Sequence, residues 1–209
     1  MSQAGRLSAA ERRVQILRAA TRCFAVSGYR GATTRQIADE AGIAEALIYR
    51  YFPTKQALFI ESVRSTTERL VSGLEDILAD AATSPLDALQ GLVRFYRSLL
   101  RRHRDLARMV YVVSTELDDP ALRAAYLPLQ DRAVAALTDA IDRWQQNGLV
   151  RDDASPRSLA WLLLGSFQTV TLMKHTGRLA EVSQEDALKL AAAYLNAPAL
   201  APAAVEPAA

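Results

Sequence analysis

Residues 33–51 read TTRQIADEAGIAEALIYRY, and this stretch decides the fold. Thr33 is followed three residues later by Gln36, the spacing of a capping box, and the pair opens a short helix through Ala41. Gly42 supplies a turn conformation that a residue with a Cβ adopts only at a cost. A second short helix runs from about Ala44 to Tyr51. Ile37, Ala38, Ala41, Ile43 and Ile48 can form the small core where the two helices cross, and the alanines let the backbones approach. The spacing fits a helix-turn-helix, whose second helix offers its N-terminal residues to a DNA major groove. Unrelated helical hairpins share this spacing, so the rest of the chain must support the reading.

The flanks are helical as well. Ser8 and Glu11 repeat the capping logic and start a helix with Ile16, Ala20, Cys23 and Phe24 on one face, ended by Gly28 near residue 28. Thr54 can cap a long helix over about 55–80, with a stripe of Phe59, Val63, Leu70, Leu74, Ile77 and Leu78. Ser84-Pro85, Asp119-Pro120 and Ser155-Pro156 each set a capping side chain before a proline at the first helical position. They predict helices over about 85–103, 120–127 and 156–175, with another near 105–116. Pro128 predicts a break or kink before a helix ending near Gln146. Ser183 caps a last helix. Strand signals are absent, so an all-α chain is expected: a three-helix DNA-binding domain over 1–53, a helical effector-binding and dimerisation domain over 54–196, and a disordered Ala/Pro-rich tail over 197–209.

Half of the 209 residues are apolar and 23% are charged, which excludes wholesale disorder and a collagen-like chain. The single cysteine cannot form an internal disulfide, and no Cys/His spacing suits zinc, so no metal or cofactor is expected. Arginines among small polar residues leave the N-terminus without an apolar leader, and the longest uncharged apolar run, 159–173, is too short to span a membrane. A cytoplasmic chain with no membrane partner is expected. The net charge of +2 is unevenly placed. Residues 1–55 hold nine Lys/Arg and four Asp/Glu, while the remainder is acidic, so an anionic partner is expected for the first part alone.

The stretch ILRAATRCFAVSGYRGATTRQIADEAGIAEALIYRYFPTKQALF, residues 16–59, resembles the N-terminal domain of the tetracycline-repressor (TetR) family. The matching pieces are the apolar helix ending in Phe24, Gly28-Tyr29, Thr33-Thr34, Ile37-Ala38, Ala41-Gly42-Ile43, and Tyr49 with Phe52 before Lys55. The later part resembles the family only in length and helical content. The resemblance implies a homodimeric regulator, most often a repressor, that binds a palindromic double-stranded operator and is released by a small-molecule effector. Thr34, Tyr49, Tyr51 and Lys55 match phosphate-contacting positions, which suits a hydroxyl at a helix N-terminus and a lysine point charge. Arg35, Glu45, Ala46, Leu47 and Arg50 fall on the face that meets DNA. Two positions depart from the family: Ala44 stands where a capping hydroxyl is common, and Glu45 puts an acid on the DNA face. Glu45 can accept from a cytosine amino group, interact with the helix dipole, or pair with an arginine.

The later helices carry many polar-tipped or flexible large side chains: Phe95, Tyr96, Met109, Tyr111, Tyr126, Trp144, Trp161, Phe167, Gln168, Met173 and His175. They are expected to line a pocket for a mainly apolar effector whose charge the sequence leaves open; the alternative is a plain helical core. Leu159, Leu163, Ser166, Val170, Leu188, Ala191 and Leu195 are expected at a four-helix dimer interface, against the alternative of one monomeric core. A rival reading of the whole chain is an α-helical enzyme or carrier of an apolar compound. No nucleophile–base pair, metal set or phosphate loop favours it.

Overall fold

The computed structural model describes residues 7–79, 84–102, 104–181 and 183–196. Among these residues the chain is all helical, with no strand. The helices are α1 (Ala9–Gly31), α2 (Thr34–Ala41), α3 (Glu45–Tyr51), α4 (Lys55–Leu78), α5 (Pro85–Arg102), α6 (Arg104–Glu116), α7 (Pro120–Gln146), α8 (Pro156–His175) and α9 (Gln184–Asn196), with a 3₁₀ turn at Leu179–Glu181. The expected caps are in place. Ser8 and Thr33 each form a complete capping box, and the side chains of Thr54, Asp119 and Ser155 accept from the first-turn amides of α4, α7 and α8. These bonds satisfy donors that a helix start leaves free. The tail over 197–209 lies outside the described residues.

Two sequence expectations need correcting. Gly28 does interrupt α1, at φ 69°, but the backbone resumes its helical path to Gly31. Pro128 breaks nothing: α7 runs through it as one helix. The ring lies on the exposed side of α7, while Leu129, Ala133, Val134 and Leu137 beyond it are buried. Packing of that face outweighs the one backbone hydrogen bond a proline forfeits.

Helices α1–α3 close around Ile16, Phe24, Ile37, Ala38 and Ile48. Gly42 ends α2 in the left-handed region, φ 64°, and turns the chain into α3. The Gln15 amide donates to the Ala41 carbonyl at 2.7 Å, tying α1 to the end of α2. This core does not stop at residue 53. Leu58, Phe59 and Val63 of α4, Met109 and Val113 of α6, and Leu122 of α7 belong to it. Phe24 meets Phe59 edge-on at 5.0 Å, and Tyr29 lies 4.8 Å from Phe59. A second core holds Leu74, Leu78, Leu137, Ile141, Trp144, Leu159 and Leu195.

Helix α4 belongs to both cores and is pinned on both sides. Glu61 accepts from Arg13 of α1 at 3.2 Å and from Arg64 at 2.7 Å. Arg132 of α7 donates to Glu68 and to Glu75, each at 2.7 Å. Arg143 donates to the Leu78 carbonyl at 3.0 Å, satisfying an acceptor at the last turn.

Candidate nucleic-acid interface and internal cavity

The outer surface of α2 and α3 presents Arg35, Ala46, Tyr49 and Arg50 to solvent. Leu47, Tyr51 and Lys55 are half-buried, and Tyr51 packs against the first core. The Lys55 ammonium sits 4.8 Å from the centre of the Tyr29 ring, which holds the cation at the start of α4. Of the candidate phosphate-binding groups, Thr34 is the most enclosed, at 8% exposure. Its hydroxyl lies 2.5 Å from a Glu45 carboxylate oxygen and 3.1 Å from the Tyr49 hydroxyl. The sequence offered cytosine, dipole or arginine as partners for Glu45. The partner in the structure is Thr34, with Glu45 also in the first turn of α3. The contact links α2 to α3 and fixes the angle between them. Sequence reasoning missed it because the two residues stand on different helices, and only the turn at Gly42 brings them together.

Other basic residues are engaged within the protein. Arg13 lies 4.9 Å over the Phe52 ring and binds Glu61, while Arg22 binds Glu40 at 2.6 Å. Among the described residues no group of His, Cys, Asp and Glu could hold a metal ion, and no helix is long and apolar enough to cross a membrane.

A cavity of about 120 Å³ lies between α4, α5, α6, α7 and α8. Six of the expected pocket residues line it: Phe95, Tyr96, Met109, Tyr126, Phe167 and Gln168. The Tyr96 hydroxyl bonds the Thr171 hydroxyl and the Phe167 carbonyl, and its ring meets Phe167 at 5.2 Å. Burial pushes the Tyr96 and Tyr126 hydroxyls up from their ordinary pKa, so both are neutral. The other five lie elsewhere. Trp144 is packed in the second core. Tyr111 and His175 stack on each other at 5.6 Å, and both are exposed. Trp161 is 41% exposed, and Met173 is half-buried away from the hollow. A polar tip on a ring does not say which way the helix turns it.

The wall that sequence reasoning missed is α4, which contributes Val63, Thr66, Thr67, Leu70, Val71 and Leu74. The stripe expected on α4 already held Val63, Leu70 and Leu74, but nothing in the sequence shows that a hollow, and not another side chain, faces it. The Phe95 ring lies where a Cβ on Gly73 would stand, so any side chain at 73 would push the ring off its seat on α4. Met109 and Val113 line the cavity and also belong to the first core. The hollow therefore shares a wall with the helix-turn-helix unit.

The expected interface residues divide. Leu159, Leu163 and Leu195 are buried in the chain's own core, at 1%, 6% and 0% exposure, and offer no surface to a partner. Ser166 is exposed, and Val170, Leu188 and Ala191 are half-buried. The face of α8 that the chain leaves uncovered instead carries Trp161, Leu162, Ser166, Thr169 and Leu172. A helix that is apolar nearly all round does not reveal from sequence which side faces inward.

A family model described as bacterial regulatory proteins, tetR family, matches residues 16–61. The HTH-type transcriptional repressor Rv1474c of Mycobacterium tuberculosis is 32% identical over 144 residues, which cover 69% of this chain and 72% of that protein. The HTH-type transcriptional repressor AcnR of Corynebacterium diphtheriae is 30% identical over 145 residues, covering 68% and 70%. The transcriptional regulator FadR of Bacillus subtilis, solved in complex with stearoyl-CoA, superposes with a TM-score of 0.69 at 21% identity, over 87% of this chain and 95% of that one. That last likeness is one of fold.

Proposed function

The chain belongs to the TetR family of helix-turn-helix transcriptional regulators, not of enzymes, and on that premise we propose that it is a homodimeric repressor released from a palindromic operator by a small molecule. The observation that carries the DNA half is the rigid α2–α3 pair. It turns Arg35, Tyr49 and Arg50 outward beside Lys55, and the Thr34–Glu45–Tyr49 contacts set its angle. Arg35 and residues 45–47 read bases, Tyr49, Tyr51 and Lys55 hold the backbone, and Thr34, its hydroxyl taken by Glu45 and Tyr49, braces α2 against α3 from behind them. We take residues 1–53 as the DNA-contacting unit and 54–196 as the sensor.

The dimer reading rests on the uncovered face of α8, where large apolar side chains flank small ones, Gly165, Ser166 and Thr169. A second copy on this face would place two α3 helices in successive major grooves, about 34–36 Å apart. The effector reading rests on the cavity and on α4, one helix that starts at Lys55 on the DNA side and walls the hollow with Thr66 and Leu70. FadR, with its bound stearoyl-CoA, supports ligand binding in this fold. A ligand that favours one tilt of α4 changes the spacing of the two α3 helices and lowers operator affinity by its preference for that arrangement.

Titrations on operator and scrambled duplexes at several salt concentrations test the reading. Lys55→Ala weakens binding on both duplexes and flattens the salt dependence. Arg35→Ala relaxes preference at one base position, by about 1–3 kcal/mol for a bidentate contact. An unchanged salt slope for Lys55→Ala would overturn the docking, and a folded monomer in sedimentation would overturn the dimer.

A further inference from the structure

Of the buried hydroxyls among the described residues, Thr66 is the one without a partner: Thr34 bonds Glu45 and Tyr49, and the others bond back along their own helices. Thr21 and Ser62 donate to the carbonyls of Leu17 and Leu58 at 2.8 Å, and Thr171 donates to that of Phe167 at 2.9 Å, each one turn back along its helix. Thr66 is 2% exposed, and its Oγ1 has no hydrogen-bond partner. It lines the cavity. An unmet hydroxyl in an apolar wall costs free energy in the empty protein, and a bound group able to pair with it recovers that cost.

The rest of the lining limits what that group can belong to. No Asp, Glu, Lys, Arg or His is among the described lining residues, so a charged group placed against them would be desolvated without a counter-ion. Apolar cavities of about 150 Å³ hold benzene, and this one, at about 120 Å³, is of that order. The Tyr96 hydroxyl already has partners across α8.

We propose that Thr66 is the hydrogen-bond anchor of the effector, and that the effector is an uncharged, ring-sized organic molecule bearing one hydroxyl or carbonyl group. The inference rests on the effector reading above and names its ligand class. Thr66 stands three turns from Lys55 on the same helix, about 16 Å along its axis. A molecule bonded to it therefore pulls on α4 itself.

The test uses the full-length protein, Thr66→Val, which keeps the shape, and Thr66→Ser, which keeps the hydroxyl. Without ligand, Thr66→Val melts at a higher temperature than the natural protein, because it removes an unmet polar group; a lower melting temperature would show that the hydroxyl has a partner and overturn the proposal. Calorimetry with p-cresol, p-xylene, benzamide and benzoate then reads the class. The natural protein and Thr66→Ser bind p-cresol about fivefold more tightly than p-xylene. They bind benzamide at least about tenfold more tightly than benzoate, and Thr66→Val loses the p-cresol preference. Equal binding of benzoate and benzamide, an unchanged preference in Thr66→Val, or no binding of any ring compound would each overturn the proposal. Stearoyl-CoA is run beside them in operator titrations. If it alone releases operator, Thr66 as anchor fails and the effector reading stands. If p-cresol binds through Thr66 yet no compound alters operator affinity, the site stands and the effector reading fails.

Discussion

Around Phe24 three rings interlock, whereas around Phe95 a ring rests on a glycine and faces a hollow. Both regions are helical, apolar and threaded by α4. In the first, Thr34 spends its hydroxyl on Glu45 and Tyr49, and Gln15 meets the end of α2. In the second, Thr66 is left unmet beside unfilled space. A surface that must match a rigid duplex needs fixed angles between its helices. A site that must respond to a small molecule needs free energy still to be gained when that molecule arrives.

The largest test of this contrast is truncation of each ring. Phe24→Ala should cost about 3–5 kcal/mol in denaturant unfolding, the range for emptying a close-packed site. Phe95→Ala, half-buried and already next to a void, should cost less than half as much. Equal losses would break the comparison. A smaller, sharper test adds volume. Ala38→Leu between α1, α2 and α3 should destabilise by about 1–3 kcal/mol through overpacking. Ala133→Leu, pointing into the hollow, should leave stability unchanged or raise it while abolishing ligand binding in calorimetry. The smallest effect is electrostatic and belongs to the seam between the regions. Desolvation acts to raise the Glu61 pKa, but hydrogen bonds from Arg64 and Arg13 outweigh it and hold the carboxyl below the usual range. A lowered folded pKa means stability that is present above the unfolded value, about 4.3, and lost as pH falls through the folded one. Glu61→Gln should flatten that acid-side loss, with an effect under about 1 kcal/mol for such a partly exposed pair. Melting curves from pH 6 down to 3 measure it.

The two regions were also unequally legible. The caps at Ser8, Thr33, Thr54, Asp119 and Ser155 fixed helix starts because a capping side chain acts within three residues of its own position. The helix-turn-helix followed from short-range spacing around Gly42, whereas the residues assigned to DNA came from the resemblance to the family at those positions. Pro128 misled because its penalty is local, whereas what outweighs it, the buried face of α7 beyond Leu129, is tertiary. The cavity was half legible. Tyr96, Met109 and Phe167 reach it, but Trp144 and Trp161 do not, since a hollow is a property of five helices at once. Thr66 carried no sequence signal beyond its place in an apolar stripe.

The first core has a consequence for recombination. Because Met109, Val113 and Leu122 complete the packing around Ile16 and Phe24, the DNA-reading head is not a detachable module. A chimera joined at residue 53 would set those apolar surfaces against side chains selected for a different head. A graft that keeps the head's native seat has to carry the start of α4, α6 and the first turn of α7 along with it. Shuffling among relatives would then favour crossovers that exchange the distal helices and leave the seat with its head.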